Sequence, residues 1–170
     1  VNIALAADWH LGHDNLVEKA GRPIGFDLRI MKGLRAMPQV EVLIFLGDIC
    51  IGDDEYWHGL IAGNMARRQT KMWLIRGNHD RKTDSWYLRN GWDFVADELT
   101  MNSFGLRLLF THIPRPPGDY DLNIHGHLHN TGHHPECGLH AQQHLVMSEH
   151  DYKPVMLNTI LKGITKTRGK

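Results

Sequence analysis

Five polar clusters in this 170-residue chain could together hold metal ions and move protons: Asp8 with His10, Asp48, Asn78-His79-Asp80, His112, and His127 with His129. An amide oxygen suits a hard cation. An imidazole binds transition metals when neutral and can carry a proton near physiological pH. A carboxylate beside an imidazole can fix its tautomer. No cysteine takes part, so the set suits manganese, iron, cobalt, nickel or zinc rather than a thiolate-bound structural zinc. Each cluster alone has an ordinary reading. Gly77-Asn78 is a common turn dipeptide, Gly47-Asp48 a common turn or helix cap, and His112 a half-exposed strand end. The two imidazoles of Gly126-His127-Leu128-His129 are the least ordinary, and the recurrence of one design five times outweighs the separate explanations.

Each cluster begins where an apolar run stops. Asn2 to Ala7, Val40 to Leu46 and Lys71 to Arg76 read as strands buried on both faces. In open α/β sheets, functional groups gather beyond the carboxyl ends of strands. Residues i and i+2 of a strand face the same side, so Asp8 with His10, and His127 with His129, are expected to converge. Between the strands, Phe26, Ile30, Leu34 and Met37 form one helical stripe ended by Pro38. Asp53 or Asp54 opens a helix to about Met65, with Trp57, Leu60 and Ile61 on its apolar face. Thr83 or Asp84 opens another, through Arg89, which Asn90-Gly91 stops. Strands are expected at Trp92 to Val95, in a hairpin of Leu99 to Met101 with Leu106 to Phe110, at Leu122 to Ile124 and at Leu145 to Met147. Asn158 is the expected cap of a last helix through Lys162. Helix and strand alternate early and strands dominate later, which gives one α/β domain over residues 1–170.

Composition excludes several classes. With 42% apolar and 22% charged residues the chain has the balance of a globular protein. Formal net charge is zero, and no basic stripe suits tight duplex binding. No run reaches the ~18 apolar residues of a membrane span. No secretory signal is visible, and two cysteines make no disulfide framework, so a reducing cytoplasm is the expected compartment. Histidine is the outlier at 13 copies, dispersed along the chain rather than grouped as a tag.

Asp8-Trp9-His10, Gly47-Asp48, Gly77-Asn78-His79-Asp80, His112 and Gly126-His127-Leu128-His129 resemble the five ordered motifs of the calcineurin-like metallophosphoesterases. The resemblance spans residues 8–129. Gly12-His13-Asp14-Asn15 with Arg22-Pro23, and Asp151-Tyr152-Lys153-Pro154-Val155, are similar to a small one-domain branch of bacteria and phages. The resemblance implies two packed mixed β-sheets flanked by helices, without a cap domain. It implies that Asp8, His10 and His129 hold one divalent metal ion, that Asn78, His112 and His127 hold the other, and that Asp48 bridges them; manganese is the first expectation. A shared hydroxide would attack phosphorus, His79 would protonate the leaving oxygen and Asp80 would orient His79. Asp80 follows the phosphodiesterase-like branches, where the Ser/Thr protein phosphatases carry Glu. The implied substrate is a small phosphorylated molecule, with a nucleotide or oligonucleotide included. A nuclease acting on short or single-stranded ends and a non-catalytic scaffold of the same fold are the alternatives. Trp9 departs from the usual Thr or Leu and is expected to narrow the cleft.

Weaker features complete the reading. His13, three residues past His10, is a candidate substrate contact, and Arg22, Arg81 and Arg115 are candidate phosphate contacts. His133, His134, Cys137, His140 and His144 make a Cys/His-rich loop that could hold a separate zinc ion. His58 and His150 read as structural or exposed.

Overall fold

The computed structural model describes residues 1–128, the backbone of 142–144, and 150–168, with side chains as far as residue 162. The expected Leu145–Met147 strand and residues 133–141 of the Cys/His-rich loop lie outside the described residues, as does His129.

Two mixed sheets flanked by helices make up the fold. Strands β1 (Ile3–Ala6), β2 (Val42–Phe45), β3 (Lys71–Ile75) and β4 (Phe94–Ala96) run parallel, and β9 (Val155–Met156) joins β1 antiparallel, giving the order β4-β3-β2-β1-β9. Every residue of β1 and β2 is buried, as unbroken apolar runs require when helices cover a parallel sheet. The second sheet has the order β5-β6-β7-β8. Its β5 (Glu98–Ser103) and β6 (Leu106–Thr111) form the expected hairpin, while β7 (Leu122–His125) and β8 (Gln142–His144) run parallel to β6. Leu5, Ile44, Phe110 and Ile124 belong to one hydrophobic cluster, so both sheets share a core.

Two of the helices follow the caps read from the sequence. After the single turn α1 (Leu16–Lys19), α2 (Phe26–Ala36) buries Phe26, Ile30 and Leu34. Asp53 accepts the Tyr56 amide to open α3 (Asp54–Arg67), and Thr83 accepts the Trp86 amide to open α4 (Asp84–Arg89). The buried side of α3 is rotated from the expected one. Ile61 is buried with His58 and Met65, whereas Trp57 and Leu60 are only partly covered. The Trp92 indole donates to His58 Nδ1 at 2.8 Å and makes that side the better one to bury. At the C-terminus Asn158 is not a cap but the second residue of α5 (Leu157–Arg168), which continues past Lys162. The short edge strand β9 precedes it and carries no sequence signal at two residues.

Candidate metal centre

The clusters meet because the loops after β1, β2, β3, β6 and β7 are bonded to one another. Asp8 N donates to Gly47 O at 2.9 Å, His10 N to Asp48 O at 3.0 Å, and Leu11 N to Ile49 O at 2.9 Å. A side chain at Gly47 would lie 2.6 Å from the Gly77 backbone, and one at Gly77 would lie 2.1 Å from Asp48 Oδ1. Only glycine permits that approach. The His79 amide donates to Asp48 Oδ1 at 2.9 Å, and the His127 amide donates to Asp8 Oδ2 at 2.9 Å. Two of the motifs thus pin the carboxylates of two others.

The convergence does not come from strand pleat. Asp8, His10, Asp48 and His127 all lie past their strand ends with left-handed backbone, at φ of 51°, 48°, 60° and 69°. Few non-glycine residues adopt this region, although Asp and His are among the more tolerant. Such strain gathers at functional sites, and here it marks four of the expected ligands. One consequence overturns an expectation from the sequence: Trp9 is fully buried and packs edge-on to Phe45 at 4.7 Å, so it belongs to the core rather than to the cleft.

The tightest packing is around His112 Nε2. It stands 3.0 Å from Asn78 Oδ1, 3.1 Å from His127 Nδ1 and 3.4 Å from Asp48 Oδ2. His112 Nδ1 donates to Leu46 O at 2.8 Å, which leaves Nε2 of the neutral ring with its lone pair facing the other three. His127 Nδ1 at this distance either donates its proton to that lone pair or shares a cation with it. Two groups fit a cation, and they share Asp48: the buried Asp8, Asp48 and His112, and buried His10 and Asp48 with half-buried His79, each with ligand atoms within 4.8 Å of one another. His10 Nε2 is 3.6 Å from Asp48 Oδ2. This donor set of carboxylates, imidazoles and an amide oxygen fits divalent metal ions. Asp8 thus stands near His112 and His10 near His79, with Asp48 common to both groups.

Asp80 is engaged differently from the expectation. Its carboxylate accepts the amides of Gly77 and Asp48, both at 2.8 Å, and of Ile49 at 3.2 Å. It ties together the backbone that carries Asp48 and His79, and these amide bonds are not bonds to the His79 ring. His13 sits at the rim. Its amide donates to His10 O at 3.1 Å, and its ring lies 6.1 Å from that of His10. Burial and then the neighbouring His79 push the His13 imidazole below its usual range. Among the candidate phosphate contacts, Arg81 is exposed and Arg115 pairs with Glu98 at 3.1 Å. Arg22 is buried, and its guanidinium donates to the carbonyls of Asp8 and Trp9. The sequence also gave no sign of Asn123. This fully buried amide accepts the Arg115 amide at 2.8 Å and donates to Leu109 O and Thr111 Oγ1, fastening the turn that carries His112.

A third group, Cys50, Asp54 and His58, has metal-like spacing. The Trp92 bond to His58 Nδ1 places the proton of the neutral ring on Nε2, leaving no lone pair for an ion. His150 is exposed.

Protonation of the centre follows from its packing. Burial raises the Asp8 carboxyl to about 7, with Asp48 adding to the rise and His112 opposing it. Burial opposes the charge on His112, but the Asp48 and Asp8 carboxylates outweigh it and raise the ring to about 9. Burial also works against the Asp48 carboxylate, yet His112, His10 and the His79 amide hold it down to about 2. Without a cation, then, Asp8 carries a proton below about pH 7 and His112 below about pH 9. A metal ion must displace both protons. Its affinity is expected to rise from pH 6 to pH 9, with release of on the order of one to two protons per chain at pH 7. Titration calorimetry with Mn²⁺ in buffers of different ionisation enthalpy measures this directly; an affinity that is flat with pH would contradict it.

A family model described as calcineurin-like phosphoesterase matches residues 1–151. No curated protein matches the chain. Among solved structures, a protein of unknown function from Aquifex aeolicus is 22% identical with a TM-score of 0.75, covering 95% of this chain and 98% of its own. An archaeal phosphodiesterase is 18% identical with a TM-score of 0.47, covering 74% of this chain and 72% of its own. Vps29 from Chaetomium thermophilum is 12% identical with a TM-score of 0.44, covering 74% and 58%. Among the described residues, no helix is long and apolar enough to cross a membrane.

Proposed function

We propose that this chain, which belongs to the calcineurin-like phosphoesterase family, is a binuclear metal-dependent phosphoesterase that prefers phosphodiesters. The observation that carries the reading is the packing of Asn78 Oδ1, His127 Nδ1 and Asp48 Oδ2 around His112 Nε2. Asn78, His112 and His127 would hold one divalent ion. Asp8, His10 and His129 would hold the other, with Asp48 shared and manganese the first candidate. When bound, such a pair polarises the phosphoryl oxygens and makes a water acidic enough to attack phosphorus.

The remaining steps belong to the side chains. His79 lies against the centre, its ring 5.3 Å from that of His10. As the bond from phosphorus to the leaving oxygen breaks, His79 gives its proton to that oxygen. Asp80 holds the backbone on which His79 rides, through the Gly77, Asp48 and Ile49 amides. His13, at the rim, contacts a non-bridging phosphoryl oxygen. A cleft of about 260 Å³ opens beside Asn78 and His112, with Arg76 and Arg115 on its walls. It has room for the second substituent of a diester, and this favours diesters over monoesters.

The test is an activity screen of the Mn²⁺-loaded protein on matched aryl monoesters and diesters, cyclic nucleotides and short oligonucleotides. A higher kcat/KM for the diester is expected. A clear monoester preference would overturn the diesterase assignment and leave the phosphoesterase one. Turnover confined to oligonucleotides would make the protein a nuclease. A protein that binds two ions and hydrolyses none of these would be a scaffold.

A further inference from the structure

We propose that Arg22 is a positioning residue for the metal centre, an inference that rests on the metal-dependent reading above: packed into the corner made by two touching aromatic rings, it fixes the left-handed turn that presents Asp8 and His10. The guanidinium carbon lies 4.9 Å from the centre of the Phe26 ring and 5.4 Å from that of Tyr152. Both rings are themselves buried. The two rings meet with centroids 6.5 Å apart, so the cation packs into one aromatic corner while its N–H groups stay available. Two of them are used on consecutive carbonyls, Nη2 on Asp8 O and Nη1 on Trp9 O. Both carbonyls belong to the turn in which Asp8 and His10 have positive φ. Left-handed backbone at two such residues is unfavourable by itself, and a fork that accepts only this spacing of carbonyls offsets the cost. Burial pulls the Arg22 pKa below its usual range, and Tyr152, Asp8 and Asp27 oppose that shift.

The segment that supplies Tyr152 is built for the purpose. Asp151 and Tyr152 both have left-handed backbone, at φ of 51° and 55°. For a residue as bulky as Tyr that conformation is a genuine outlier. Its neighbours hold it there. The Lys153 amide donates to His150 O at 3.0 Å, and Val155 and Met156 pair with Leu5 and Ala4 of β1. On the other side, Gly33 of α2 leaves no room for a side chain, with Lys153 Cγ at 2.8 Å from where a Cβ would lie. The C-terminal segment thus packs against the strand that leads into the metal centre and sets one ring of the Arg22 clamp. No contact with substrate is involved, so Arg22 and Tyr152 act through Asp8 and His10.

Backbone hydrogen exchange in the metal-free protein, followed by Mn²⁺ titration, tests the clamp. Arg22→Lys keeps the charge but cannot span both carbonyls. Tyr152→Ala removes one ring, and Tyr152→Phe keeps it. Arg22→Lys and Tyr152→Ala are expected to speed exchange at the Asp8, His10 and Leu11 amides about tenfold or more, with the amides of β2 unchanged. They are expected to weaken Mn²⁺ binding by about 10- to 100-fold, as loss of groups that orient metal ligands does. Excess Mn²⁺ should restore most of kcat, and Tyr152→Phe should match the parent throughout. Parental exchange at those three amides in folded Arg22→Lys and Tyr152→Ala would overturn the proposal. So would faster exchange with unchanged Mn²⁺ affinity. A parent protein that takes up no divalent ion would overturn the metal-dependent reading instead, while exchange in the metal-free protein still decides whether Arg22 fixes the turn.

Discussion

Asp48→Asn is expected to cost the protein both metal ions together, because one carboxylate serves both groups of ligands. Asp48 Oδ2 lies 3.4 Å from His112 Nε2 and 3.6 Å from His10 Nε2, between imidazoles of the two groups. The asparagine variant is the sharper probe than alanine. Its side-chain oxygen can still accept the His79 amide, which Asp48 Oδ1 receives at 2.9 Å, so the loop keeps its anchor while the site loses a negative charge. That charge is held ionised down to about pH 2, because the His112 and His10 imidazoles and the His79 amide outweigh the burial that opposes it. Elemental analysis should fall from two ions per chain to well below one, and ester hydrolysis should fall by at least about 10³-fold, since removing even one group that stabilises transition-state charge costs 10²–10³. A variant that retains one tightly bound ion would show that Asp48 serves a single site. A parent that never binds more than one under metal-replete conditions would remove the binuclear proposal.

That Asp8, Asp48, Asn78 and His112 lie near one another at the ends of strands was legible in the sequence, but the means of their convergence was not. A buried parallel strand announces itself by an unbroken apolar run, and the polar residue that ends the run then lies at the sheet's rim. This is why Asp8, Asp48, Asn78 and His112 can be placed from spacing alone. Backbone conformation past the strand end leaves no such signature. Left-handed φ at Asp8 and His10 depends on the Gly47–Gly77 contact and on a cation fork thirteen residues away, and neither is a local property. The same limit explains Trp9, which reads as a cleft residue until the turn sends it into the core against Phe45. Asn123 escaped for a related reason, and Tyr152 entered only as part of a motif resemblance with no role attached. They touch only backbone or another side chain, and their types suit a surface as well as a buried bond. In the second sheet, β8 was not legible in the sequence, because it is specified by pairing with β7 rather than by its own apolar content. The arginines show how ambiguous one residue type can be. Of three candidate phosphate contacts, one clamps backbone, one pairs with Glu98, and one is exposed.

His79→Ala is expected to lower hydrolysis by about 10²–10⁴-fold, the usual worth of a positioned general acid, while both metal ions and the fold remain. Two features of the site make this a demanding test. The His79 ring lies within ligand distance of His10 and Asp48, so its position alone would also suit a metal ligand. Its backbone, by contrast, is fixed without the ring. The His79 amide bonds Asp48 Oδ1, and Asp80 takes the amides of Gly77, Asp48 and Ile49. Removal of the imidazole should therefore leave the loop in place, and any loss of metal would have to come from the ring itself. The leaving group separates the remaining possibilities. An alkoxide or nucleoside oxygen needs a proton as its bond to phosphorus breaks, whereas nitrophenolate departs well without one. Across diesters of graded leaving-group pKa, the deficit of His79→Ala should be greatest for the most basic leaving groups and shrink towards parity for nitrophenyl esters. A deficit of equal size throughout the series would make His79 a phosphate-holding residue. A variant that binds one ion fewer than the parent would make it a ligand, and the pairing of His10, Asp48 and His79 would then be the first ion's true coordination set.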